Sequence, residues 1–152
     1  MTGLPAHQAE RIITRHRQPE DRSQMVLKPA LAYFAVVFAA AFAFGALRVT
    51  LIAPQIGPLA ALALEVPLIL SLSWIVAGRV LRRWPLTTTK ALTMGALAFA
   101  LLMLAEFALA YTLSGQTPAN YAATFLTAPG ALGLVGQIGF ALIPALRAYA
   151  SG

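Results

Sequence analysis

The chain has 152 residues, of which 59% are hydrophobic and 11% are charged, and its formal net charge is +6. Soluble domains contain about 25% charged residues, so this composition predicts a membrane protein. The absence of cysteine excludes disulfides, thiol redox chemistry, iron–sulfur clusters and zinc–thiolate sites. In a chain this apolar, the lysines and arginines are read first as signals of membrane orientation. The positive charge is then explained, and we expect no nucleic-acid partner.

The chain begins with a polar and basic stretch, residues 1–28, in which arginines alternate with acidic residues. We expect a cytoplasmic tail rather than a signal peptide, because the basic region is too long and the next apolar run lacks a small-residue cleavage site. His7 and His16 both lie in this tail, which leaves no histidine pair inside the membrane for a haem. We therefore expect neither a metal site nor a cofactor.

Four apolar runs follow the tail, at residues 29–53, 58–79, 90–113 and 129–149. Each has close to the roughly 20 residues that cross a bilayer as a helix. The runs are apolar on all sides, unlike helices of a soluble bundle, and they lack the alternation of a β-barrel. We predict an all-α, four-helix transmembrane bundle formed by residues 29–152, with the lipid bilayer as its immediate partner.

The positive charges predict which way this bundle faces. Of the eleven lysines and arginines, all except Arg48 fall on one side of a four-span arrangement. By the positive-inside rule that side is cytoplasmic. The two loops on the other side, residues 54–57 and 114–128, contain no charge. We predict a multi-pass protein of the cell inner membrane with both termini in the cytoplasm.

The longer outer loop is predicted to contain a short helix on the membrane surface. Thr117 precedes a proline and is a suitable N-terminal cap. Tyr121, Phe125 and Leu126 follow at nearly helical spacing, which is typical of an amphipathic helix at the membrane surface. A loop without a helix is the alternative.

Each span carries one polar residue at a similar depth, namely Arg48, Glu65, Glu106 and Gln137. At 1.5 Å per residue, all four lie about 9 to 12 Å from the outer end of their helix. Polar residues inside a span raise the free energy of membrane insertion, and they usually face the bundle interior. Small residues share the faces of Arg48 and Gln137, which indicates that both point inward. The direction of Glu106 stays open, because bulky residues flank it on one side and only Ala110 on the other.

These residues support a structural and a functional interpretation. Arg48 and Glu65 face each other across the hairpin of the first two spans, so we expect an ion pair that fixes the helix register. One arginine cannot compensate two carboxylates, so either Glu65 or Glu106 should hold or share a proton at neutral pH. Such a carboxylate is a candidate for proton coupling, or for binding a cationic or hydrogen-bonding ligand.

Glycines mark the faces where helices are predicted to pack. Gly45 lies on the same face as Arg48, and span 4 carries four glycines at a spacing of three, namely Gly130, Gly133, Gly136 and Gly139. Small residues let helix backbones approach closely in membranes. All five glycines are therefore predicted helix-packing positions.

Three short stretches carry a resemblance: Gly45–Arg48 through Ala53-Pro54, then Leu64–Pro67, and then Ser73-Trp74. They resemble a group of small, uncharacterised four-helix bacterial inner-membrane proteins. The resemblance covers most of the chain after residue 29; it implies a four-span fold and no activity. Small multidrug transporters also have four spans and a membrane glutamate. Theirs lies in the first span, however, and they lack a long basic tail, so none of their site residues is transferred.

The sequence contains no phosphate-binding glycine loop, nucleophile elbow or metal-ligand spacing, and we expect no enzyme activity. Two functions fit the sequence features that are left once enzyme motifs are excluded. The first is an accessory or assembly subunit of a larger membrane complex, suggested by the small size, the glycine-lined helices and the basic tail. The alternative is a small proton-coupled transporter, acting as a homodimer, that uses Glu65 or Glu106.

Overall fold

The computed structural model describes residues 19–151, and every regular element in that range is a helix. Four of the helices are long and apolar enough to cross a membrane. The predicted all-α class and the four long apolar helices are therefore confirmed. The first 18 residues of the predicted tail lie outside the described residues.

The first span changes helix type before it ends. It comprises helix α1 at Pro19–Leu47, a π-helical segment at Arg48–Ile52 and the short helix α2 at Ala53–Ile56. Pro54 accounts for the change, because it has no N–H for the carbonyl of Thr50 and its ring crowds that carbonyl. In the wider π turn the N–H of Ala53 binds the carbonyl of Arg48 instead. Gly57, with a φ of 85°, then reverses the chain.

The remaining helices are α3 at Pro58–Arg83, α4 at Thr88–Ser114, α5 at Pro118–Thr124 and α6 at Ala128–Tyr149. Threonines cap the last three of them, at Thr87, Thr117 and Thr127, and each hydroxyl accepts a hydrogen bond from a backbone N–H three residues later. Helix α5 is the short helix predicted in the outer loop, with its predicted cap at Thr117, so the alternative of a loop without a helix is wrong.

Helix α1 packs against both α3 and α4, and α6 packs against the same two helices. Met25 contacts Lys90, so α1 and α4 begin at the same end. Gly78 lies against Arg147, so α3 and α6 finish at the same end. We call this the terminal end, and the opposite end, with the Gly57 turn and α5, the hairpin end.

The buried core lies in the half of the bundle nearest the terminal end, which we call the sealed half. Tyr33 is fully buried there; its ring stacks on Phe140 at 4.6 Å between centroids, and its hydroxyl donates a 2.8 Å hydrogen bond to the Phe140 carbonyl. Gly95 brings α4 so close to α6 that a Cβ on it would lie 1.9 Å from the carbonyl oxygen of Ala141. The sealed half is therefore tightly packed.

Large apolar side chains cover the outside of the helices. Leu104, Leu113 and Val135 are 65%, 76% and 64% exposed. The most apolar window of each span has a mean hydropathy between 1.6 and 2.2. A surface of this kind is stable against lipid and not against water. The chain is a multi-pass membrane protein.

Candidate functional site: a cavity lined by two carboxylates

A cavity of about 380 Å³ lies between the helices in the half nearest the hairpin end, which we call the cavity half. All four spans and α5 line it, and Leu102 and Phe140 separate it from the sealed half. A Cβ added to Gly133 on its wall would meet nothing within 4 Å. Small-molecule sites typically have volumes of about 300 to 1,000 Å³, so the cavity has room for a small ligand.

The four polar residues singled out in the sequence all line this cavity, namely Arg48, Glu65, Glu106 and Gln137. The direction of Glu106, which the sequence left open, is toward the same space. Within the cavity the four residues form two separate pairs, one on each side.

The first pair is the expected ion pair across the hairpin. Arg48 Nε donates to Glu65 Oε2 at 2.5 Å, and the two side chains are 24% and 13% exposed. Gly45, one turn before Arg48, lies beside the carboxylate, and a Cβ there would make an ordinary van der Waals contact of 3.8 Å with Glu65 Oε1. The π-helical segment begins at Arg48 itself. The pair joins α1 to α3 where both helices approach the Gly57 turn.

The second pair joins α4 to α6 and includes a residue from α5. Gln137 Nε2 donates to Glu106 Oε2 at 2.6 Å, and the hydroxyl of Tyr121 donates to the same oxygen at 3.3 Å. Burial, followed by the charge and the hydrogen bond of Glu106, raises the pKa of Tyr121 to about 12. The sequence placed Tyr121 on the surface helix, but it did not predict that this helix covers the site.

The two carboxylates therefore differ in what binds them. Guanidinium is only a donor and keeps its charge, so Arg48 can bind Glu65 only by donating to a carboxylate oxygen. An amide and a phenol each contain a donor and an acceptor, so Gln137 and Tyr121 can bind either protonation state of Glu106. Among the side chains that the structure describes, those of residues 25–151, the Arg48–Glu65 contact is the one ion pair, and the neighbours that bind Glu106 are neutral.

The walls of the cavity suit an organic molecule better than a metal ion. Phe38, Phe42 and Phe125 line it together with aliphatic side chains. Within residues 25–151, whose side chains the structure describes, no three or more histidine, cysteine or acidic side chains are grouped as metal ligands would be. An apolar wall with a few polar groups is the usual composition of a small-molecule site.

The predicted packing glycines have different surroundings. Gly136 and Gly139 contact side chains of α3, and Gly130 lies against the backbone of α5. Gly45 adjoins the ion pair. Gly133 departs from the prediction, because it faces the cavity and contacts no neighbouring helix closely. Its missing side chain makes space rather than a contact.

Comparisons with protein-family models, curated proteins and solved structures find no match to this chain. The resemblance to four-helix inner-membrane proteins therefore stays a prediction. The geometry of the cavity is what supports a functional assignment.

Proposed function

We propose that the protein is a small transporter that binds an organic solute in the cavity and couples its movement to a proton exchanged at Glu106. The contrast between the two carboxylates carries this proposal. Glu65 is bound to the permanent charge of Arg48, whereas Glu106 faces the same cavity with two neutral partners. Because those partners can bind either protonation state of Glu106, the carboxyl group keeps a hydrogen bond when it gains or loses a proton.

The packing of the two halves supports a carrier. A carrier must close its site on one side while the other side is accessible. In the sealed half, the contact between Tyr33 and Phe140 joins α1 to α6 across the bundle. We assign this contact as the closed gate, and the opposite state requires its opening.

We further propose that the terminal end faces the cytoplasm of a bacterial inner membrane. The support is the distribution of lysine and arginine, all but one of which fall at that end or in the tail before it. The cavity half then lies in the outer leaflet. Because the chain has no cysteine, a single cysteine placed at the exposed Asn120 reports the orientation when intact cells are treated with an impermeant maleimide.

Proteoliposomes that contain a pH-sensitive dye test the proposed transport. Cationic, neutral and anionic solutes with apolar bodies are added outside, and we expect at least one class to drive proton movement. Glu106→Gln should abolish that movement, because an amide cannot exchange the proton. Thr112→Val is the matched control on the same helix, since the exposed Thr112 hydroxyl binds only carbonyls of its own helix.

Two results would overturn the proposal. One is that no solute class moves protons in vesicles that contain folded protein. The other is that Glu106→Gln moves them as fast as the unchanged chain does.

The accessory-subunit interpretation remains the second candidate. One of its reasons is weaker, because Gly136 and Gly139 pack against α3 within the chain and are not free for a partner. Gentle extraction followed by native electrophoresis tests it. A stable heavier complex favours this interpretation, and a monomer or homodimer opposes it.

A further inference from the structure

We infer that the solute is a small organic cation, an amine that has an apolar body and donates an N–H to Glu106. The inference rests on the proposed function, and it adds the chemical class of the solute. Charge, free hydrogen-bond acceptors and the composition of the walls each support it independently.

The charge in the cavity favours a cation. The ionisable residues on its walls are Arg48, Glu65, Glu106 and Tyr121. Arg48 and Glu65 cancel each other, and the Tyr121 phenol is neutral at physiological pH, because its pKa is about 12. When Glu106 is ionised, the walls carry one net negative charge. An anionic solute would be repelled, whereas a cation supplies the opposite charge that an ionised group in a low-dielectric site requires.

The hydrogen bonds of Glu106 leave a place for the cation. Both bonds from the protein, from Gln137 and Tyr121, end on Oε2. Across the described residues no donor lies within hydrogen-bond distance of Oε1, and a carboxylate oxygen readily accepts bonds through both of its lone pairs. Oε1 is therefore the acceptor for an ammonium N–H, in a charge-assisted bond of the stronger kind.

The walls would surround the rest of an amine. Phe38, Phe42, Phe125 and Phe140 line the cavity together with Tyr121. Aromatic faces attract cations and also bury apolar groups. The volume of about 380 Å³ lies at the low end of the range for ligand sites, so the amine must be small.

Binding of such a cation displaces the proton of Glu106. In this exchange a proton on the Glu106 carboxyl group leaves for bulk water as the ammonium group arrives. The O–H bond of Glu106 breaks, the carboxylate keeps the electron pair, and the ammonium group retains all its own protons. One positive charge enters as one leaves, so the exchange is one proton for each monovalent cation.

Calorimetry on the full chain in phosphatidylcholine nanodiscs tests the inference with three probes that share one aromatic body. They are phenethylamine, phenethyl alcohol and phenylpropionate, which are cationic, neutral and anionic. We expect the amine to bind at least about tenfold more tightly than the other two, because it alone forms the charge-assisted bond. Repeating the titration in buffers of different ionisation enthalpy should give about one proton released per amine.

Three variants locate the binding. Glu106→Gln should weaken the amine about tenfold and abolish the proton release, with little change for the alcohol. Gly133→Leu tests the same cavity without changing a polar group. A Cβ at Gly133 meets open space, so the leucine should fold into the cavity and exclude all three probes. Thr112→Val is the control and should bind as the unchanged chain does.

The outcomes separate this inference from the proposed function. Equal or tighter binding of the alcohol or the carboxylate overturns the inference, and so does amine binding that is unaffected by Glu106→Gln. In either case, proton movement in vesicles that depends on Glu106 supports a transporter of another solute class. Conversely, tight amine binding that depends on Glu106, with no proton movement in vesicles, supports the cation site and overturns transport.

Discussion

The sealed half and the cavity half are built from the same four helices, and both contain glycines that face a neighbouring helix. In the sealed half, Gly95 brings two backbones together, and no side chain fits between them. In the cavity half, Gly133 has no close neighbour, and the space in front of it stays open. A glycine in a membrane helix can therefore indicate a contact or a cavity, and the residues on the facing helix decide which.

The two halves also differ in the forces that hold them. The sealed half is held by interdigitated apolar groups around Tyr33 and Phe140. The cavity half is held by polar bonds, with Arg48 and Glu65 joining α1 to α3, and Glu106 joining α4 to α5 and α6. Dense packing leaves no space for a ligand in the sealed half of this state, whereas side-chain hydrogen bonds in the cavity half can exchange partners. A site that takes up and releases a ligand is better placed in the second environment.

The largest effect that we expect concerns the two glycines. Gly95→Ala places a Cβ within 1.9 Å of a backbone carbonyl oxygen, which must force α4 and α6 apart, at a cost of about 3 kcal/mol or more in free energy of unfolding. Gly133→Ala meets open space and should change stability by no more than about 1 kcal/mol, on the favourable side, because alanine favours helix.

Unfolding in mixed detergent micelles, followed by the fluorescence of Trp74 and Trp84, measures both variants. Equal destabilisation by the two alanines would contradict the distinction between the halves.

The next effect concerns the ion pair of the cavity half. Arg48→Met leaves Glu65 without its charged partner, and removal of one member of a buried pair costs 3 to 5 kcal/mol. Both side chains are partly exposed to the cavity, so we expect the low end of that range, about 3 kcal/mol. The double variant Arg48→Met with Glu65→Met should recover most of the loss, since an apolar pair of similar volume is often neutral.

The same unfolding assay distinguishes the two variants. If the double variant is as unstable as the single one, the predicted recovery is wrong, and the pair stabilises the fold by more than the mutual neutralisation of its two charges.

The smallest effect concerns Tyr121, which covers the second carboxylate. Glu106→Gln removes two of the three causes that raise the pKa of Tyr121, so its value should fall from about 12 toward the ordinary 10 while burial keeps it above 10. Titration of the phenolate absorbance measures this change, and the difference from a Tyr121→Phe variant isolates the signal from the other tyrosines. An unchanged pKa would mean that Tyr121 does not contact Glu106 in the membrane.

This pKa also predicts how stability depends on pH. The folded chain holds the Tyr121 proton more tightly than the unfolded chain does, so the contribution to stability is fully present below pH 10. It is lost as the pH rises toward about 12. In Glu106→Gln the loss should occur over a narrower range of pH.

The features that could be predicted from the sequence are those that follow from counting residues along a helix. Span length predicts four helices, and the number of residues from each loop predicts that Arg48 and Glu65 meet, because a tight turn at Gly57 leaves little freedom between them. The direction of Glu106 could not be predicted, since apolar residues flank it on both sides. Its contact with Tyr121 depends on how a surface helix docks, which no periodicity encodes.

Two further features were missed for different reasons. Gly95 carries a usable signal, because Ala91, Gly95 and Ala98 place small residues on one helix face, the pattern typical of close helix contacts. No comparable sequence signal predicts the cavity. It exists because four helices fail to fill one volume, and that depends on their relative positions rather than on any single segment.

The π-helical segment at Arg48–Ile52 affects how the length of this chain can vary. A π turn contains about one residue more than the α turn that it replaces. In a chain without a proline at position 54, loss of one residue after Arg48 can therefore be absorbed by conversion to α-helix, while Arg48 keeps its place opposite Glu65. In an alignment of homologous chains, we expect one-residue gaps to fall between Val49 and Ile52 and to leave the arginine unchanged.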